Sequence, residues 1–340
     1  MNKKILKIIL IIAAALCLIV IVAAMIIFGP NTKNKQSIQL VVPRNATYAQ
    51  VLDSLETHNI LRSERTFKTV VKAMKFKTMH VGKYKIQPGM SNYHLAKLLR
   101  RGQHFPITFS FNNARTLDQF VEKVGHKFFF EPEELSILVH DTAFLKKYDL
   151  TEETCPAIFI PNSYQIFYDI TAEGFFDRMY QNYKTFWAGK RTKEAESIGL
   201  SPTEVTTLAS IVEEENFRPK EKAIIAGLYI NRLNKGMLLQ SDPTVKFALG
   251  DFSRQRILNA DLRVESPYNT YKYKGLPPGP IRIPEASTID SVLHYRHHDY
   301  LYMCAKEDLS GYHNFTSSSA QHEQNANRYR AALQARNIKR

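Results

Sequence analysis

From Ile8 to Phe28 the chain carries no charged residue and is almost wholly aliphatic. A helix needs about 20 such residues to cross the hydrocarbon core of a bilayer. A cleavable signal has a shorter apolar region, about 7–15 residues, closed by small side chains. Here Ala23-Ala24 is followed by bulky Met25, Ile26 and Ile27, and the run stops only at Gly29-Pro30. The expectation is an uncleaved anchor over residues 1–30. Lys3, Lys4 and Lys7 precede the span, against Lys33 and Lys35 just after it. That bias favours a cytoplasmic N-terminus, with the rest of the chain outside the cytoplasm. No second apolar run is long enough to cross, so a single-pass protein of the inner membrane is expected.

The chain has 340 residues and a formal net charge of +14. Such an excess would ordinarily suggest nucleic acid, but the anchor removes the rest of the chain from that partner. Outside the anchor only Cys155 and Cys304 remain. Two cysteines do not make a disulfide framework, and sequence does not show that they meet.

The remainder exceeds the usual size of one core, so two domains are expected. Residues 31–37 read as a polar linker. Ile38 to Val42 and Gly82 to Ile86 read as strands. Thr47, Ser63 and Ser91 open helices, the last stopped by Gly102. This order suits a small α+β module over residues 38–104. A larger mixed α/β domain follows over 105–340, giving an α+β fold overall. Its expected strands cover 105–111 and 299–304. Helices are expected near 116–126, 131–138, 141–149, 173–189, 219–235, 286–294 and 317–337. Ser201, Pro202 and Glu204 form a capping box with Pro at the first helical position, opening a helix that runs to about Asn216. Gln240 to Glu285 is Pro- and Gly-rich and reads as a long irregular stretch, a kind that is often functional.

Chemistry concentrates at Glu213-Glu214-Glu215. Val205, Leu208, Ala209 and Val212 make one apolar face at helical spacing. Glu214 falls opposite Val205 and should be solvated. Glu213 lies about 40° from Ala209, on the border of the apolar stripe, and Glu215 about 20° from Leu208, inside it, so both face apolar surroundings. Desolvation raises a carboxyl pKa, which a general acid working near neutral pH requires. Downstream, Gln240, Ser241, Asp242 and Thr244 cluster at a turn, and Asn269 and Tyr271 follow. Aromatic and amide groups on loops suit sugars; the same residues also serve as plain turns. His294, His297 and His298 share a helical spacing, but no accompanying ligand pattern supports a metal, and none is expected. GLPPGP at 275–280 is stiffened by Pro and cradles no phosphate. Ser163 and Ser241 lack the flanking glycines of a nucleophile elbow.

Together these segments resemble the endolytic murein transglycosylases, the YceG-like family. The resemblance rests on Ile211-Val212-Glu213-x-Glu215, Asn231-Arg232-Leu233, Gly236-Met237, Leu239 to Thr244, Tyr268 to Tyr271 and Gly275 to Ile281, in family order. Two stretches depart from the family pattern. Pro156 to Tyr164 keeps Pro161 and Tyr164 but lacks the acids. Near the C-terminus Gln321 stands for an acid and Glu323 for an amide.

The resemblance implies a membrane-anchored lyase with no cofactor, acting on peptidoglycan glycan strands beside peptidoglycan synthases, and a LysM-like glycan-binding role for the 38–104 module. It further implies that Glu213 is the catalytic acid, then base, and that Glu215 supports it. Gln240, Ser241, Asp242, Thr244, Asn269 and Tyr271 would bind substrate. Glu213 would protonate the bond between N-acetylmuramic acid and N-acetylglucosamine and then activate the muramoyl C6 hydroxyl, giving a 1,6-anhydro end. Its pKa would be raised, as with the apolar-pocket acid of lysozyme, the known example of that effect. A non-catalytic peptidoglycan-binding scaffold and a water-using muramidase are the alternatives.

Overall fold

The computed structural model describes residues 3–43, 46–75, 80–102, 105–216, 218–254 and 256–336. The boundary expected at residue 104 falls outside them. The first helix, α1 (Lys3–Phe28), is long and apolar enough to cross a membrane. The chain divides into two compact units.

The first unit holds Met1–Phe109 with Lys127–Phe130 and Tyr164–Thr171. Here β1 (Ile38–Val42) pairs antiparallel with β2 (Gly82–Ile86), Leu40 opposite Tyr84. Between them lie α2 (Tyr48–Thr57) and α3 (Glu64–Ala73), and α4 (Asn92–Arg101) follows. The caps fall where the sequence put them. Thr47 closes a capping box with Gln50, and Ser63 and Ser91 accept from the third residue of their helices. Gly102 ends α4 at φ 63, a conformation costly for any side chain with a Cβ. Alternate strand residues Leu40, Val42, Tyr84 and Ile86 meet Leu55, Phe67 and Leu95 in one core. Asn92 ties α4 to the end of α1, donating to the Ile26 carbonyl at 2.8 Å. β3 (Pro106–Ser110) pairs with β4 (Ser163–Phe167).

The second unit comprises Ser110–His126, Glu131–Ser163 and Ala172–Arg340. Its helices are α5 (Leu117–Gly125), α6 (Pro132–His140), α7 (Thr142–Lys146), α8 (Ala172–Trp187), α9 (Lys190–Ser197), α10 (Pro202–Glu215), α11 (Pro219–Asn234), α12 (Asp242–Leu249), α13 (Ala286–Leu293) and α14 (Ser319–Ala335). A small antiparallel pair, β5 (Tyr302–Ala305) and β6 (His313–Thr316), precedes α14. Helix α10 opens on the expected box, Ser201 accepting from Glu204 N and Glu204 reaching back to Ser201 N. It is not a surface helix. Every residue from Val205 to Glu213 is buried, because α9, α11, α12 and α13 all pack on it.

The reading of the second unit changes in two places. The stretch 240–285 is not wholly irregular, since α12 starts at Asp242 and stops at Gly250, φ 66. Helix α9 and strand β6 went unread. The first is mostly charged and polar, with only Ala195 buried. The second is partly exposed along its whole length and shows no alternation. Cys155 and Cys304 are free thiols, as the absence of a disulfide framework led one to expect, and burial pushes the Cys155 pKa up.

Candidate active site

The end of α10 places its three acids in three different surroundings. Glu213 is 2% exposed. Its Oε2 accepts from Thr288 Oγ1 at 2.6 Å and from the Glu285 amide at 2.9 Å. Lys222 Nζ lies 3.7 Å from the same oxygen and Arg282 Nε 3.3 Å from Oε1. Lys222 also donates to Thr288 Oγ1 at 2.6 Å. Buried cations need such partners, because an unpaired charge in a protein interior is costly. Glu213 therefore joins α10 to α11, α13 and the 282–285 segment.

Glu214 is not solvated as its position opposite Val205 predicts. Arg282 Nη1 lies 2.5 Å from it and Arg115 Nη2 3.4 Å. A helix with a single apolar stripe has one wet face, but here the bridge between Ala114 and Ile283 brings chain over that face.

Glu215 lines a cavity of about 310 Å³ with Tyr229, Arg232, Gln240, Asp242, Tyr271 and His322 among its walls. Tyr229 Oη donates to Glu215 Oε1 at 2.5 Å and Ser241 Oγ at 2.6 Å. Both bonds fall on Oε1, leaving Oε2 without a protein donor among the described residues. Burial raises the Glu215 pKa and repulsion from Asp242 adds to it, against the two hydroxyl donors, which lower it. A carboxyl so held can keep a proton at a pH where an exposed one has lost it.

The remaining predicted residues divide. Asp242 and Gln240 are exposed on the cavity wall. Tyr271 joins them, its hydroxyl donating to Asp242 Oδ1 at 2.6 Å. Gln240 holds φ 52, a left-handed conformation uncommon for a residue with a side chain. Its amide donates to the Thr270 carbonyl at 3.1 Å.

Ser241, Thr244 and Asn269 are each fully buried and do not face the cavity freely. Thr244 Oγ1 bonds the Ser241 carbonyl at 2.7 Å and Thr270 Oγ1 at 2.8 Å. Asn269 Nδ2 donates to the Leu262 and Val264 carbonyls, and its Oδ1 accepts from Tyr271 N. These side chains shape the two loops; Ser241 reaches Glu215 as well. Small polar residues at turns have two uses, and burial decides between them.

Several residues of the site have no chemical signal in the sequence. Arg232 is 7% exposed and donates from Nε to the Leu301 carbonyl at 2.6 Å and from Nη1 to the Leu239 carbonyl at 2.8 Å. It thus fixes the loop that carries Gln240. His322 stacks on Tyr302, and its pKa is lowered by burial and by the Arg232 charge. His313 binds Glu221 through its amide and Nδ1, each at 2.9 Å, holding β6 to α11. Only their places within longer motifs hinted at these roles. No group of His, Cys, Asp and Glu among the described residues is arranged to hold a metal. His294 instead meets Glu194 at 3.0 Å, and His298 Nε2 meets the Ile224 carbonyl at 2.9 Å.

Comparison with known proteins covers this whole region. The chain is similar to a protein of Streptococcus pneumoniae serotype 2 named endolytic murein transglycosylase, 26% identical over 309 residues. The match takes in 81% of this chain and 55% of that relative, so this chain spans about half of the relative's length. A Bacillus subtilis protein of the same name is 25% identical over 316 residues, covering 87% of this chain and 86% of its own. A crystal structure of a YceG-like protein from Listeria monocytogenes superposes with a TM-score of 0.57 at 26% identity, over 86% of this chain and 99% of that one. A family model described as the YceG-like family matches residues 40–328, running through the Glu215 helix and the loops that close its cavity, and the chain belongs to that family.

Proposed function

We propose that this protein is a membrane-anchored lytic transglycosylase that cuts peptidoglycan strands internally, at the β-1,4 bond between N-acetylmuramic acid and N-acetylglucosamine, leaving 1,6-anhydro ends. The reading is carried by Glu215, a carboxyl of raised pKa at the wall of a polar cavity. The names of the pneumococcal and Bacillus relatives support it.

The protonated Glu215 carboxyl gives its proton to the glycosidic oxygen, and the bond from that oxygen to the muramoyl anomeric carbon breaks. The carboxylate so formed takes the proton of the muramoyl C6 hydroxyl, whose oxygen closes on the anomeric carbon. One C–O bond is exchanged for another, and Glu215 ends protonated as it began. Most glycosidases need a second carboxylate, either as nucleophile or to activate water. An internal hydroxyl has a high effective molarity and needs neither. Ser241 and Tyr229 fix the carboxyl through Oε1, leaving Oε2 for the proton transfer. The family resemblance implied Glu213 for this role. Its burial against Lys222 and Arg282 speaks for a structural one, so we assign the acid to Glu215. Gln240, Asp242 and Tyr271 remain as substrate contacts.

In this reading α1 is the anchor, with its N-terminus in the cytoplasm and the catalytic unit outside, at the inner membrane. The 38–104 module binds glycan in a LysM-like manner, and the enzyme works on strands as synthases release them. A muramidase is the second reading, because Asp242 lines the same cavity as Glu215 and could activate water. Mass spectrometry of products from purified strands decides. Anhydro ends support the transglycosylase, reducing ends the muramidase, and no product a binding scaffold.

A further inference from the structure

Beside the Glu215 cavity lies a larger depression of about 990 Å³, bordered by α12 and α14. Its lining carries Arg115, Lys246, Arg254, Arg256 and Arg330 against a single acid, Asp242. Asp242 also lines the Glu215 cavity, so the two depressions meet at that residue. Arg254 is neutralised by Asp251 at 2.9 Å and Asp261 at 2.7 Å, and Arg115 lies 3.4 Å from Glu214. Lys246 and Arg330 have no carboxylate within ion-pair distance among the described residues; Arg330 donates only to Asn327 Oδ1, at 2.5 Å. Like charges gathered in a concave wall raise the local potential and attract anions. Phe252 adds an apolar wall, with the Arg115 guanidinium 5.3 Å from its ring centre.

We propose that this groove binds the carboxylates of the peptide stems on the glycan strand, making the enzyme selective for peptide-bearing over stripped strands. The inference rests on the reading of Glu215 as the site of cleavage. A strand held at Glu215 carries its side groups into whatever adjoins that cavity, and here the neighbour is cationic. Guanidinium groups pair with carboxylates through two parallel hydrogen bonds, which suits side groups repeated along a polymer. Stripped strands keep only the lactyl carboxylate freed on each muramoyl residue, close to the sugar ring, and would gain less from such a wall than the several carboxylates of a stem.

The test measures binding of the Glu215→Gln protein to purified strands, with stems intact, with stem carboxylates amidated, and with stems removed. Intact strands should bind about tenfold more tightly than either of the others, the size of one charge-assisted hydrogen bond. The gap should narrow as salt is raised. In the same background, Lys246→Gln with Arg330→Gln should close it. Equal affinity for intact and stripped strands overturns the proposal, as does a gap that survives amidation or the double substitution. Competition by a soluble polyphosphate without any stem dependence also overturns it, pointing to a phosphate polymer. Because the readout is binding, it stands apart from cleavage. A wild-type protein that cuts neither strand would sink the catalytic reading alone.

Discussion

Glu213 and Glu215 sit two positions apart on α10, yet one meets two cations and the other two hydroxyls and a cavity. Substitution should separate them. Glu213→Gln leaves Lys222 and Arg282 buried with less counter-charge, and should cost about 3–5 kcal/mol, read from urea unfolding. Glu215→Gln should lower turnover on purified strands about 10²–10⁴-fold without loss of stability. The sign of its pH effect follows from linkage. A carboxyl pKa raised in the folded state favours folding at low pH, and that contribution is lost as pH rises from the unfolded pKa through the folded one. Glu215→Gln should therefore gain stability relative to wild type as pH rises toward neutrality. A uniform loss across pH would contradict this. Wild-type turnover should fall on the alkaline side, as Glu215 loses its proton, at a pH above the ordinary carboxylate range.

At the scale of elements, the site depends on α11 and the start of α12 reaching α10. Tyr229 and Ser241 lower the Glu215 pKa by hydrogen bonding. Tyr229→Phe should shift the alkaline limb of the pH–turnover curve upward; an unmoved or downward-shifted limb would refute the coupling. The 275–280 loop shows why glycine is needed there. A Cβ on Gly279 would come 1.8 Å from the Glu153 carbonyl oxygen, so Gly279→Ala must displace backbone. It should destabilise by about 1–3 kcal/mol in thermal or urea melts.

Helix starts were the most legible elements. Thr47, Ser91 and Ser201 announce themselves because a capping hydroxyl and its amide partner lie within one turn of sequence. The start of α12 carries similar marks, Asp242-Pro243 at the front and Gly250 behind, but the surrounding Pro and Gly masked them as loop. Helix α9 was unreadable from periodicity, since its polar side chains leave almost no apolar stripe to detect.

At the scale of the whole molecule, α1 is the segment whose removal is most telling. A chain beginning at Gly29 should remain in the soluble fraction and still cut purified strands, whereas the full chain should sediment with membranes. Equal partition of the two would argue against α1 as the anchor. The apolar run, the capped helix ends and the amphipathic strands of the first unit are properties of neighbouring residues, so sequence alone determined them. The surroundings of the three glutamates were not. Lys222, Arg282, Thr288, Ser241 and Tyr229 come from segments that meet α10 only when the chain folds, and α10 is covered on faces that a helical wheel leaves to solvent. A carboxyl's chemistry depends on what lies within a few ångströms of it. Sequence therefore located the acidic cluster, and only tertiary packing distinguished the buried ion-paired Glu213 from the Glu215 that faces a cavity.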